Sequence, residues 1–354
     1  MIKKISLLLA LSYSCFAQVI VLNETNRQPI DGVEVYSAKG VLIGLSNSKG
    51  EIALQTSQEL LLFSHFLYEA KTTSQHEFVY LKPRSIQLAD VQVKSNKRKM
   101  GVVLKGYFRS FQFRNDSLEF FSDGEIEVLV PANPNKGNQY KRTQERNLTG
   151  QLFKMAYNGK TMQYGMTIAT PPILDLIRTK DLQASALPFN PKQDSIALFQ
   201  PETGKKWGHV NRINANLLQV TIHQYPPGEP NILNGLGMES HILVKDEESI
   251  AQVQNIENLD PIQLIYHKNV NKIDFKAKGR STYDQYFAIT EFFITAAEVE
   301  SGEEKGFSKR TALGKGNHYS DLYWEKAASH PNFKPLPPVI QEEINRITKE
   351  EKKP

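Results

Sequence analysis

Apolar residues two apart, interrupted every few positions by a glycine-bearing turn, leave a chain few folds besides short antiparallel strands. Residues 29–54 are written this way: PIDGVEVYSAKGVLIGLSNSKGEIAL. Val33 and Val35 alternate with Gly32 and Glu34. Val41 and Ile43 follow Lys39-Gly40, and Ile52 and Leu54 follow Asn47-Ser48-Lys49-Gly50. Gly50 suits the end of a tight turn because it accepts a positive φ without a Cβ clash. The stretch reads as the centre of a small β-sandwich. Residues 19–22 supply a strand before it, and residues 60–63, 78–81 and 86–93 supply strands after it. Strands recurring about every eight to twelve residues have the spacing of a sandwich.

The length, 354 residues, suits two domains or one large one. Residues 1–17, MIKKISLLLALSYSCFA, place Lys3 and Lys4 before an apolar core and end on the small residue Ala17. This is the order of a secretory signal peptide, with an apolar run too short to span a bilayer comfortably. Cleavage after Ala17 leaves Gln18 at the N-terminus. Without Lys3 and Lys4 the 43 basic residues fall to 41, against 38 acidic ones. That balance is too even to imply nucleic acid or an anionic membrane as partner. Cys15 is the sole cysteine, and the residues before it fit a lipoprotein cleavage box poorly. A mature chain lacking it has no disulfide, thiolate metal site or cysteine nucleophile. No other stretch is apolar enough to cross a membrane as a helix.

The succession NRQPIDGVEVYSAKGVLIGLSNSKGEIAL, LLLFSHFLYEA and IQLADVQVKSN resembles the carboxypeptidase regulatory-like domain. Residues 46–52 occupy that family's middle turn. Phe63, Ser64 and Tyr68 match its next phrase, and Leu88, Asp90, Val91 and Val93 match its closing strand. Leu67 stands where the family prefers Gly, and Asn47 where it has Asp. The resemblance covers residues 18–96. It implies a seven-stranded, transthyretin-like sandwich without catalytic residues of its own. Such domains front secreted and outer-membrane proteins of Gram-negative bacteria. The expected location is therefore exported: periplasmic, outer-membrane associated or at the cell surface.

Residues 95–100 read as a charged linker. Beyond it, Tyr107, Arg109, Phe111 and Phe113 share a period-two face. Leu118 and Phe120, then Ile126, Val128 and Val130, continue a three-strand meander. Residues 132–150 and 190–204 read as loops, and residues 173–177, after Pro171-Pro172, as a short helix. Residues 210–213 and 218–222 make a hairpin around Asn214-Ala215-Asn216. Residues 238–244 and 250–253 make another around Asp246-Glu247-Glu248, and residues 263–266, 272–277 and 286–299 continue as strands. Ser320 caps a helix through Tyr323 and Trp324, residues 334–338 form an extended bridge, and Ile340, Ile344 and Ile347 stripe a last helix. This order loosely resembles uncharacterised envelope proteins that carry the same front domain, which implies no activity. The expected architecture is mainly β. It has a seven-stranded sandwich over residues 18–96 and an antiparallel-sheet α+β domain over 97–319, as a curved sheet or half-barrel. A C-terminal helical segment covers 320–354.

Few motifs carry chemistry. No two of the eight histidines bracket a Glu at helical spacing, as a zinc hydrolase requires. Gly237-Met238-Glu239-Ser240-His241 breaks the nucleophile-elbow pattern, and Gly314-Lys315-Gly316 lacks the rest of a phosphate cradle. Glu125 and Glu127 share what reads as the wet side of a strand. No catalytic residue, metal ligand or cofactor is assigned. The candidate ligand surface is the aromatic row Tyr107, Phe111, Phe113 and Phe120, suited to stacking on sugar rings or holding lipid; at strand spacing, core is the plainer reading. The expected role is non-enzymatic: binding, scaffolding or assembly with an envelope protein, a polysaccharide or an apolar ligand. The alternatives are a carrier of lipid in a half-barrel, and a hydrolase whose residues converge only in space.

Overall fold

The computed structural model describes residues 17–54, 60–74, 77–87, 90–93, 101–115, 117–133, 135–149, 154–157, 160–163, 172–182, 194–200, 202–225, 231–235, 237–300, 306–308, 317, 319–320 and 322–351. The chain divides into two compact units, one ending at Arg84 and one holding Ser85 onward together with Lys39–Val41.

Among the described residues the first unit has seven strands: β1 (Ala17–Asn23), β2 (Glu34–Tyr36), β3 (Leu42–Leu45), β4 (Glu51–Leu54), β5 (Leu61–His65), β6 (Tyr68–Thr73) and β7 (Phe78–Leu81). They form two sheets, in the orders β4-β1-β7 and β3-β2-β5-β6. Alternate residues supply the core: Val19 and Val21, Ile52 and Leu54, Val79 and Leu81 are all buried. Gly50 turns the chain into β4 at φ 74°. A Cβ there would lie 2.4 Å from the Val21 carbonyl oxygen, so the close approach of β1 also requires glycine.

Strand β8 (Asp90–Val93), expected to close this sandwich, pairs instead in parallel with the last strand of the second unit. That unit contains β9 (Gly101–Arg114), β10 (Ser117–Pro131), β11 (Gln139–Thr149), β12 (Lys154–Tyr157), β13 (Lys160–Gln163), α1 (Pro172–Thr179), β14 (Ser195–Phe199), β15 (Lys206–Asn214), β16 (Leu217–His223), β17 (Asn231–Gly235), β18 (Met238–Ala251), β19 (Leu264–Ala277), β20 (Asp284–Glu300), α2 (Tyr323–Ser329) and α3 (Pro338–Glu351). Among the described residues eleven strands form one open sheet, ordered β11-β10-β9-β20-β19-β18-β16-β15-β14, with β17 beside β18 and β8 beside β20. It does not close into a barrel.

One face of this sheet is apolar. Phe108, Val128, Phe292, Leu264, Val220, Val210 and Ile196 form one cluster with Ile173, Leu174 and Ile177 of α1. Pro172 opens α1 at a position where a missing N–H costs nothing. The other face carries a polar row across eight strands, six of whose residues are charged. Arg146, Asp123, Arg109, Glu291, Lys268, Glu248, Thr221 and His209 stand directly opposite one another from β11 to β15. Signs alternate along the first six, so each charge faces its complement. Glu291 is fully buried and receives Arg109 Nε at 2.5 Å, the Tyr266 hydroxyl at 2.6 Å and Lys334 Nζ at 3.0 Å. Arg109 Nη1 also donates to the Lys334 carbonyl at 2.6 Å, and the Tyr323 hydroxyl donates to Asp123 Oδ1 at 2.6 Å. The C-terminal segment is thereby pinned to this face.

Four further expectations change. The supposed loop 132–150 contains β11, and the supposed loop 190–204 contains β14. Asp246-Glu247-Glu248 is no turn but the middle of the continuous strand β18. Its charges are met by neighbours: Lys268 Nζ lies 2.6 Å from Glu248 Oε2, and Gln224 donates to Glu247 at 2.9 Å. Helix α2 starts at Tyr323 after Leu322, with no side-chain cap from Ser320. The linker 95–100 lies outside the described residues.

Candidate functional site

The aromatic row does not hold together as one surface. Phe111 and Phe113 lie on the charged face, both buried, with Phe113 stacked on Phe287 at a ring separation of 4.9 Å. Tyr107 meets Phe333 edge-on at 6.2 Å. Phe120 lies on the opposite face. A register shift between Leu118 and Phe120 pairs Phe120 with Gln112 and sets Phe121, not Phe120, opposite Phe111. Phe120 packs with Ala288 and Tyr286.

A serine–histidine contact does form, in an unpromising place. Ser249 Oγ lies 2.8 Å from His267 Nδ1, with both residues buried on the apolar face. Their register partners Val220 and Phe292 belong to the apolar cluster. Burial depresses the imidazole to about 3, against a small opposing effect of Glu248, so the ring is neutral. His209 and His223 approach with ring centroids 5.8 Å apart. Among the described residues no three of His, Cys, Asp and Glu converge in a way that holds a metal ion. None of these helices is long and apolar enough to cross a membrane.

Two cavities matter in the second unit. One, of about 400 Å3, lies between Val102, Val130, Ile177, Leu259 and Ile262, with Lys180 and Asp260 also in its wall. The other, of about 440 Å3, has a sharper chemical character. It is built from two neighbouring turns. The register of β18 with β19 pairs Met238 with Ala277 and Glu239 with Lys276. The β17–β18 turn therefore lies beside the β19–β20 turn, and the Lys278 N–H donates to the Gly237 carbonyl at 2.8 Å. Gly237 at φ 76° and Gly279 at φ 93° make these tight reversals, in a region that favours glycine. At Gly235 and Gly279 an added Cβ would meet nothing within 4 Å, so the backbone there is open to the cleft.

Three cations line this cleft: Lys276, Lys278 and Arg280. Among the described residues its one carboxylate, Glu239, is already engaged. Tyr283 donates its hydroxyl to Glu239 Oε1, His241 Nε2 lies 2.9 Å from the same oxygen, and Lys276 Nζ lies 3.4 Å from Oε2. The Tyr283 hydrogen bond is the main reason that Glu239 titrates below the usual carboxylate range. The Lys276 ammonium also sits 4.3 Å from the centre of the Tyr283 ring. Lys278 and Arg280 are exposed at the rim. The cleft thus presents a positive surface with small backbone groups at its floor, an arrangement suited to an anion. The sequence offers only a weak hint of it, the short run Lys276-Ala277-Lys278-Gly279-Arg280. Its second wall comes from a turn about forty residues earlier, which only strand pairing brings alongside.

No protein-family model matches the chain, and neither does any curated protein. Among solved structures, one titled "Lipid-protein interactions in lipovitellin" is similar to 63% of this chain at 10% identity, with a TM-score of 0.30. The chain spans 28% of that protein's length. A likeness this slight decides nothing about function.

Proposed function

We propose that the protein is an exported, non-enzymatic binding protein of the cell envelope, and that its larger unit holds an anionic group in the cleft between the β17–β18 and β19–β20 turns. One observation carries the reading: three cations line a cleft in which the one carboxylate among the described residues is already engaged by Tyr283, His241 and Lys276. Export rests on the order of residues 1–17. The front unit is read as a carboxypeptidase regulatory-like domain from its motifs, and its seven strands in two sheets are compatible with that. Phe111, Phe113 and Phe120 are packed in the structure, and the buried Ser249–His267 contact lines neither cavity.

Calorimetric titration with tripolyphosphate in low-salt buffer tests the reading. The unaltered chain should bind, more weakly as salt is added. The double variant Lys278→Ala/Arg280→Ala should bind at least tenfold more weakly, about 1.4 kcal/mol. Lys276 is kept because it also holds Glu239. Equal affinity in both proteins, or none in either, overturns the proposal.

A further inference from the structure

The cleft sits at the end of a sheet edge that no strand among the described residues covers. Strands β16 and β17 run in line along the same side of β18. β16 pairs from Leu218↔Ala251 to His223↔Asp246, and β17 from Asn231↔Ile242 to Gly235↔Met238. The outer side of β16 is covered by β15. Among the described residues, no strand pairs with the outer side of β17. An edge of this kind presents unpaired N–H and C=O groups, and proteins usually protect it with charged residues or proline. The five residues of β17, Asn-Ile-Leu-Asn-Gly, include neither.

The side chains on this edge are also unusual. Ile232 is 53% exposed and Leu233 50% exposed. Being adjacent in a strand, they project to opposite faces. The edge therefore offers an apolar contact on each side of any strand laid beside it. The last two residues of β17, Asn234 and Gly235, line the cationic cleft. A strand laid beside β17 ends at Asn234 and Gly235, and its chain reaches the wall that carries Lys278 and Arg280 by continuing across the β17–β18 turn.

We infer that β17 is a docking edge for an extended segment of an acidic partner protein, which adds a strand to the sheet and lodges an Asp or Glu in the cleft. Main-chain hydrogen bonds supply affinity in this mode, and alternate side chains supply selectivity. The inference rests on the anion-binding reading of the cleft and names the kind of molecule that carries the anion.

Fluorescence anisotropy with labelled synthetic peptides tests it on the whole chain. Two octapeptides of alternating Val and Thr, acetylated at the N-terminus and amidated at the C-terminus, carry Asp-Glu at one end or the other, so that both strand directions are tested. Control peptides replace Asp-Glu with Asn-Gln, or carry N-methyl groups on alternate backbone amides, in both phases. At least one acidic peptide should bind. It should lose tenfold or more when its end is neutral, when the phase facing β17 is N-methylated, and when the protein carries Lys278→Ala/Arg280→Ala. Undiminished binding of both N-methylated phases overturns the added strand, and the tripolyphosphate titration then shows separately whether the anion site stands. Equal binding of acidic and neutral peptides overturns the acidic partner. A dimer in sedimentation that Leu233→Asp abolishes overturns the inference too, because the edge's occupant is then a second copy of the chain.

Discussion

Glu291→Gln should destabilise the larger unit more than Lys334→Met, although the two changes break the same ion pair. Glu291 is fully buried between Arg109 and Lys334, whose side chains are themselves almost wholly enclosed. Burial alone raises its carboxyl, but the charges of Arg109 and Lys334 reverse this and hold it well below the usual carboxylate range. A depressed carboxylate contributes stability that is present above the unfolded value of 4.5 and lost as pH falls below it, so the comparison belongs at pH 7. Replacing the carboxylate leaves two like charges enclosed with no counter-charge between them. Removing one partner of a buried pair costs about 3–5 kcal/mol. Lys334→Met instead leaves Arg109 and Glu291, a neutral pair that keeps the Tyr266 hydroxyl. The loss is then nearer the worth of a hydrogen bond to a charged group, about 1.5–3 kcal/mol. Urea unfolding followed by tryptophan fluorescence reads this directly, since both tryptophans, Trp207 and Trp324, lie in this unit. At about 2–4 °C per kcal/mol for a unit of such size, Glu291→Gln should also melt roughly 6–20 °C lower. Equal losses, or a greater loss from Lys334→Met, would refute the reasoning.

Glu247 supplies a pH dependence of opposite sign. Burial raises its carboxyl to about 7, partly opposed by the Gln224 hydrogen bond. A raised carboxyl contributes stability below its unfolded value of 4.5 that disappears as pH rises through about 7. The loss amounts to about 3 kcal/mol, and Glu247→Gln should flatten it in urea melts compared at pH 5 and pH 8. Ile344 is buried on α3, which packs against β10 and β11, so Ile344→Asp should cost about 3–5 kcal/mol; a normal melting curve would instead make α3 a docking element. Mass spectrometry of the exported protein should find Gln18 or its cyclised form at the N-terminus, and a chain beginning at a lipidated Cys15 would contradict that.

Local pattern made the front strands legible, because Val33, Val35, Ile52 and Leu54 alternate between turns that only small or polar residues make. The Ile340 and Ile344 stripe was legible for the same reason, one period being enough to show a buried face. Strand β14, five residues long and set in a Pro- and Gly-punctuated stretch, escaped, and so did two places where charge enters a strand. Strand β11 carries Arg142 and Arg146 among polar neighbours, so it reads as loop; its place is set by a partner that supplies Asp123 to Arg146 at 2.6 Å and Glu127 to Lys141 at 3.2 Å. The acidic run in β18 misleads in the same way, since Lys268 lies in a different strand. Pairing is equally hidden. Residues 90–93 look like a strand from sequence alone, but nothing local says that they join β20. One irregularity between Leu118 and Phe120 moves an aromatic ring from one face to the other. The cleft shows in the sequence only as the short basic run of residues 276–280, because its second wall is set by strand pairing.

The central claim is that the cleft between the β17–β18 and β19–β20 turns binds anions. Backbone amide NMR of the chain titrated with inorganic phosphate tests it residue by residue. The account predicts saturable shifts centred on Gly235, Gly237, Lys278, Gly279 and Arg280, absent in Lys278→Ala/Arg280→Ala. Shifts centred instead on Lys180 and the other cavity, or no saturable shifts at all, would contradict it.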